Sequence, residues 1–281
     1  MLNALTIDVE DYFQVNAFAP YLSRDKWDLI PLRVVDNTLR ILEMLDANNL
    51  KATFFILGWV AERESGLIRE IQRRGHEIAC HGYGHELIYD IGPERFREDL
   101  RRAKGIIEEL IGSRVFGYRA PSYSITEKSL WALDILIEEG FTYDSSIFPV
   151  YHDTYGVPNS PRFPHCIKRE AGSIMEFPLT TYPISFGKKE FRLPIAGGGY
   201  LRLFPAQFLV RAIRSINIIE NQPAVLYFHP WEIDPQQPRI KAGLKSRFRH
   251  YLNLAGTEDK VKHIIGSLNF STMTETLAVT V

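Results

Sequence analysis

The sequence predicts an α/β fold, a single (β/α) barrel, and three observations carry that expectation. Short apolar runs alternate with segments of helical periodicity through the first half of the chain, the pattern of parallel βαβ units. Proline opens one helical segment and glycine follows three of them, the asymmetry expected of helix ends. A chain of 281 residues with 45% hydrophobic side chains has enough apolar material for one large core.

The elements follow in order. Residues 2–7 read as the first strand and residues 31–45 as a helix with apolar side chains at helical spacing. ATFFIL, residues 52–57, is a buried strand, followed by a helix that ends at Gly75. Glu77–Cys80 is a short strand. The helix over 93–111 carries Pro93 in its first turn and stops before Gly112. Residues 115–118 form another strand, and Gly140 terminates a helix over 126–139. From about 150 to 199 the alternation breaks, because Pro158, Pro161, Pro164, Pro178, Pro183 and Pro194 interrupt regular elements. This stretch reads as an insertion of short strands and loops over one face of the barrel, with a flexible glycine corner at 197–199. A helix over 205–219 and a strand over 224–228 complete the core, which spans residues 3–234. Residues 235–281 form a helical extension with a basic stretch (Lys241, Lys245, Arg247, Arg249), read as an ordinary solvated face with an anion grip as the lesser alternative, and a last helix over 257–268 with Thr257 as its N-cap. No internal repeat or linker divides residues 1–281, so one domain is expected.

Composition removes several functional classes. Lys plus Arg (33) balance Asp plus Glu (34), so no global field points to nucleic acid or to an anionic membrane. No apolar run is long enough to span a bilayer, and the N-terminus turns acidic at Asp8 where a signal peptide would still be apolar. The expectation is a cytoplasmic chain with no transmembrane segment. Cys80 and Cys166 form no CxxC motif, and Cys80 reads as a small buried apolar residue.

The chemistry-bearing residues share one position, the C-terminal end of a strand. Asp8 and Glu10 follow the first strand, His81 the third and Arg119 the fourth; Asp144 follows Phe141, Thr142 and Tyr143, and His229 closes AVLYF. In a parallel barrel those ends meet at one rim, where barrel active sites are built. In His81-Gly-Tyr-Gly-His85, two imidazoles four residues apart suit one cation, whereas an isolated HxxxH is more often a pair of surface histidines. Asp8 and Glu10 project to the same side of a strand while Val9 projects away, so one carboxylate is placed to ligate and the other to accept a proton. Asp11 is the reserve ligand or a turn cap. Arg119 is expected to orient Asp8 or to pair with Asp144, and His229 to act as general acid because imidazole titrates near working pH. His76, His152, His165, His250 and His263 are assigned to surfaces.

These residues resemble the polysaccharide deacetylase family, the NodB-homology group of carbohydrate esterases. The resemblance covers residues 3–234 and all five family motifs. It is closest to the subgroup found beside exopolysaccharide loci of exosortase systems, through TIDVEDYF, GGGYLRLFP, HPWEID and RHYLNL. It implies an irregular (β/α) barrel of about seven parallel strands that binds a divalent metal, Zn²⁺ first, with Co²⁺, Mn²⁺ or Ni²⁺ as substitutes. In the family motif a base aspartate is followed at once by a metal aspartate; here Asp8 matches the base, Val9 stands in the metal position, and Glu10 replaces the ligand, with Asp11 in reserve. The resemblance also implies His81 and His85 as metal ligands and His229 as general acid. Arg119 would orient the base and Asp144 would hold that arginine. Pro121 and Tyr123 belong to the third motif, with the Tyr123 backbone N–H at the oxyanion. Phe148 or Trp231 would replace the family's fourth-motif tryptophan, and Pro121, Tyr123 and Trp231 would face the substrate.

The function so implied is removal of N-acetyl groups from sugar residues of a polysaccharide or its lipid-linked precursor, with an N-acetylated saccharide as partner and no nucleic acid. An amide hydrolase of small nitrogenous metabolites and a catalytically silent sugar-binding module are the alternatives.

Overall fold

The computed structural model describes residues 1–187 and 189–280. The chain opens with β1 (Asn3–Val9), buried at all seven positions, and α1 (Val34–Ala47). Next come β2 (Thr53–Ile56), α2 (Gly58–Arg63), α3 (Ser65–Arg73) and β3 (Glu77–Cys80). The single helix expected before Gly75 is therefore two, parted at Glu64. In α4 (Ile88–Ile111) Gly92 breaks the helical backbone at φ 75°, and the regular part restarts at Pro93 as the sequence predicts. Gly112 ends it at φ 65°, in the left-handed region glycine adopts freely. β4 (Gly117–Tyr118), α5 (Ala132–Glu138) and β5 (Tyr143–Asp144) follow, α5 shorter than the span over 126–139. The insertion consists of β6 (His165–Arg169), β7 (Gly172–Glu176), β8 (Thr181–Phe186) and β9 (Lys189–Pro194). α6 (Gly199–Leu203), α7 (Ala206–Ser215) and β10 (Val225–Phe228) return to the core. The extension holds α8 (Leu244–Tyr251), α9 (Thr257–Ile265), β11 (Phe270–Ser271) and α10 (Met273–Ala278).

The main sheet runs β10-β1-β2-β3-β4-β5-β7-β6, and all its pairings are parallel except β6 with β7. β7 lies in the stretch expected to be an insertion, yet it supplies the seventh parallel strand of the ring. β7 and β10 share no ladder. The chain after β7 reaches β10 through Thr180, whose Oγ1 accepts from Val225 N–H at 2.6 Å and donates to Val225 O at 2.9 Å. Beside it Ile195 N–H bonds Thr180 O, and Tyr227 N–H bonds Ala196 O at 2.7 Å. The sheet thus curls into an irregular barrel whose seam is stitched by loop backbone and one hydroxyl.

Strand alternation sorts the core into two layers. Ala4, Phe55, Ala79, Tyr143 and Val225 pack inside the barrel with Phe148 and Met273, while Leu5, Ile7, Val9 and Phe54 face the surrounding helices. β11 and α10 were not anticipated. β11 pairs with β1, and Met273 N–H donates to Thr53 Oγ1 at 2.7 Å, so this segment plugs the N-terminal end of the barrel. The opposite rim collects the strand ends on which the site is built.

Candidate metal and active site

The backbone N–H of Glu10 bonds the carbonyl of Asp8 at 3.0 Å, so β1 ends in a tight turn that keeps both carboxylates at the rim. Glu10, His81 and His85 each offer a buried ligand atom, and these atoms lie within 4.8 Å of one another. His81 Nδ1 donates to the Arg119 carbonyl at 2.8 Å, which leaves the Nε2 lone pair for a cation. Burial holds the His81 imidazolium down to about 4, so the ring is neutral, the form that ligates. Glu10 is kept anionic: burial alone would raise its carboxyl, but His85 and His229 beside it bring it to about 2.

The HGYGH loop is irregular rather than helical, with φ 72° at Gly82 and 51° at His85. Asp99 shapes it by accepting the backbone N–H groups of Tyr83 at 2.7 Å and Gly84 at 3.0 Å. The donor set fits a divalent cation on one further observation. Glu10 Oε2 is buried and receives no hydrogen bond, although His85 Nε2 stands 2.7 Å from it. A positive charge between these two atoms, a cation or a proton carried by the ring, reconciles their close approach, and His₂-carboxylate is a common catalytic zinc set.

Asp8 sits beside this cluster, held by the fully buried Arg119. The guanidinium donates through Nη1 to Asp8 Oδ1 at 2.7 Å and to Thr6 Oγ1 at 2.7 Å. It donates to the carbonyl of Ser145 at 3.1 Å and to Ser145 Oγ at 3.0 Å, and lies 4.1 Å from the Phe55 ring centroid. Asp144, expected to hold Arg119, does not make that ion pair. Its Oδ1 accepts from Ser146 Oγ at 2.6 Å, and its other oxygen faces Glu176. β5 ends at Asp144, and Ser145 is the neighbour that turns toward the arginine.

His229 faces both carboxylates. Its Nε2 is 3.4 Å from Glu10 Oε1 and 3.9 Å from Asp8 Oδ2, while Nδ1 donates to Glu232 Oε2 at 2.8 Å. Burial would lower the imidazolium, but Glu10, Glu232 and Asp8 outweigh it and hold the group at about 9. Arg202 Nε fixes Glu232 from behind at 2.6 Å. Trp231 stacks on His229 at 5.1 Å between ring centroids, and its Nε1–H donates to Glu10 Oε1 at 3.2 Å.

A cavity of about 480 Å³ opens over these groups, lined among others by Tyr123, Tyr155, Tyr200, Tyr227, Trp231 and Phe248. Asp8, Glu10, His81, His85 and His229 stand on its floor.

Further placements change an expectation or choose between two. Asp11 is no ligand: its carboxylate accepts Tyr12 N–H at 2.8 Å, Arg33 N–H at 2.7 Å and Val34 N–H at 3.0 Å, which caps the start of α1. Pro121 is buried at the start of a short 3₁₀ turn and is not among the cavity-lining residues, and the Tyr123 N–H in that turn bonds the Ala120 carbonyl at 3.0 Å. His76 and His250 are buried, not surface residues, and His250 stacks on Trp231 at 4.1 Å between ring centroids. Phe148 packs edge-on to Tyr123 inside the barrel, so Trp231 is the indole of this site. Cys80 is buried as expected, and burial pushes its thiol up to about 12.

Sequence reasoning missed Glu232, Arg202, Asp99 and Ser145. Glu232 was legible, since His229-Pro-Trp-Glu has the spacing of a capping box and closes one here. Asp99 and Arg202 act from α4 and α6, far along the chain, with no local signal.

Two family models match the chain. One, described as "Polysaccharide deacetylase", covers residues 25–137, and the other, "Domain of unknown function (DUF3473)", covers residues 145–278. A peptidoglycan-N-acetylglucosamine deacetylase from Bacillus cereus is 33% identical over 98 residues, 34% of this chain and 36% of that protein. A peptidoglycan deacetylase from Helicobacter pylori is 32% identical over 108 residues, 38% of this chain and 36% of that protein. The matched stretch therefore spans about a third of these relatives' length. The barrel is similar to a crystal structure from Mycobacterium smegmatis assigned to the polysaccharide deacetylases, with a TM-score of 0.62 and 22% identity over 99% of this chain and 89% of that one. The first family model spans the HGYGH loop and Arg119, so residues 25–137 are similar in sequence to the polysaccharide deacetylases, and the barrel is similar in fold to the Mycobacterium smegmatis structure.

Proposed function

We propose that this chain is a metal-dependent N-deacetylase acting on sugar residues of a polysaccharide or of its lipid-linked precursor. One observation carries the reading: the buried Glu10–His81–His85 cluster shares a cavity floor with a carboxylate locked by arginine and an imidazole locked by glutamate. Glu10, His81 and His85 would hold the cation, Zn²⁺ first, which when bound supplies Lewis-acid polarisation of the acetyl carbonyl and an acidified water. Arg119 fixes Asp8 so that Oδ2 is left to take the proton from the attacking water. His229, held through Nδ1 by Glu232, presents Nε2 to the same space and delivers a proton to the departing amine. The tyrosines and Trp231 give the cavity ring faces and hydroxyls, a lining suited to a sugar with its apolar and polar sides.

Acetate release from N-acetylglucosamine oligomers tests the reading. The expected result is turnover that chelator abolishes and Zn²⁺ or Co²⁺ restores. Metal content, measured independently of turnover, falls in the His81→Ala, His85→Ala double variant and persists in His229→Ala, which loses about 10²–10⁴-fold in kcat. Metal retained by the double variant, or near-normal turnover by His229→Ala, overturns these assignments.

A further inference from the structure

Residues 235–257 contain no Asp or Glu, yet they hold Arg239, Lys241, Lys245, Arg247 and Arg249, in a chain whose net charge is −1. All five cations are exposed. Several cations elsewhere on this surface are paired, among them Arg97 with Glu138 and Glu139, Arg101 with Glu139, and Arg102 with Glu62. Among the described residues, none of these five has a carboxylate at ion-pair distance; Asp153 feels Lys245 and Arg249 but contacts His152 instead.

The same face exposes apolar surface. Leu244 is 83% and Phe248 67% exposed, one turn apart on one side of α8. Tyr21 adjoins them, since a Cβ added at Gly243 would sit 2.7 Å from its hydroxyl, and Leu203 of α6 is also exposed. Leu203, Phe248 and Arg249 line the cavity, so this patch borders the mouth of the site. α8 is held firmly there: Arg202 donates to the carbonyls of His250 at 2.6 Å and Leu252 at 3.1 Å.

We propose that α8 and its flanking basic loop dock the molecule on an anionic lipid surface, with the cavity mouth beside the headgroups. Unpaired cations interleaved with exposed leucine and aromatic side chains match that interface, where phosphates take the charge and the acyl boundary takes the apolar groups. A nucleic acid would meet the cations and leave Leu244 without a role. Docking goes beyond deacetylation and is read without turnover; where deacetylation also holds, it selects lipid-anchored saccharides as substrates.

The test is co-sedimentation of the full chain with phosphatidylcholine vesicles, with and without phosphatidylglycerol, at low and high salt. Binding is expected on the anionic vesicles and should weaken with salt. Lys245→Gln with Arg247→Gln should lower partitioning about 25-fold, about fivefold per cation removed. Leu244→Ser should lower it about tenfold through lost apolar burial, while its circular dichroism and metal content stay those of the parent. The proposal is overturned if anionic vesicles leave the chain in solution, if the double variant binds like the parent, or if a single-stranded RNA homopolymer is bound in preference. Vesicle binding without acetate release from any acetylated sugar leaves docking standing and removes the deacetylase reading.

Discussion

Glu10 and Asp11 are adjacent acids with opposite fates, and the difference lies in which way the chain turns after β1. Strand alternation placed Asp8 and Glu10 on one side with Val9 on the other, and the two-layered core bears that out, since Val9 packs among the outer apolar side chains. That alternation was legible from sequence; the fate of Asp11 was not, because it depends on α1 returning to present two backbone N–H groups at Arg33 and Val34. The pair makes a sharp comparison. Glu10→Gln removes the anionic donor from the Glu10–His81–His85 cluster and is expected to lose bound metal on dialysis while the fold persists. Asp11→Asn should keep its metal but lose about 1–2 kcal/mol of stability, because an amide has one acceptor oxygen for three N–H donors. Elemental analysis and urea unfolding of both variants check the assignment; metal loss in Asp11→Asn but not in Glu10→Gln would exchange the roles.

At the scale of elements, sequence patterns located strands better than closures. Apolar runs marked β1, β2 and β10 because both faces of those strands are buried, by the barrel interior and by helices. β7 was lost among prolines, since its neighbours β6, β8 and β9 are peripheral and dilute the pattern. β11 and α10 escaped because a two-residue strand carries no periodicity. The seam is the most cryptic feature: a single hydroxyl, Thr180 Oγ1, serves both the N–H and the carbonyl of Val225. Thr180→Val keeps the shape and deletes the hydroxyl, leaving a buried donor and acceptor unpaired. The expected loss is about 2–4 kcal/mol, read as a lower urea midpoint with unchanged slope. Serine at the same position should recover most of it. A neutral Thr180→Val would show that water or a shifted strand closes the ring instead.

Over the whole molecule, the barrel places its carboxylates on one rim and neutralises them in different ways. Arg119 balances Asp8, and Arg202 with His229 balances Glu232, but Asp144 and Glu176 face each other without a cation in contact. Each leaves one buried oxygen without a donor, Asp144 Oδ2 and Glu176 Oε2. A proton between them resolves the clash. Burial and then the Asp144 charge push the Glu176 carboxyl well above its ordinary 4.5, and burial raises Asp144 as well. In the unfolded chain both groups return to ordinary values, so folding takes up protons once the pH exceeds about 4.5. The sign follows: the pair's stabilising contribution is complete below the unfolded values and is lost as pH rises toward the folded ones, the reverse of acid denaturation. Each extra proton held by the folded state costs about 1.4 kcal/mol per pH unit across that window. Glu176→Gln removes one titration, because its amide can donate to Asp144 while its oxygen still accepts the Ile147 N–H. Urea unfolding of the metal-free proteins at intervals from pH 5 to pH 8 should therefore show the variant gaining on the parent as pH rises, since only the parent must retain that proton. Parallel stability curves across the same range would mean that Glu176 ionises in the folded barrel and that the pair is solvated or paired elsewhere.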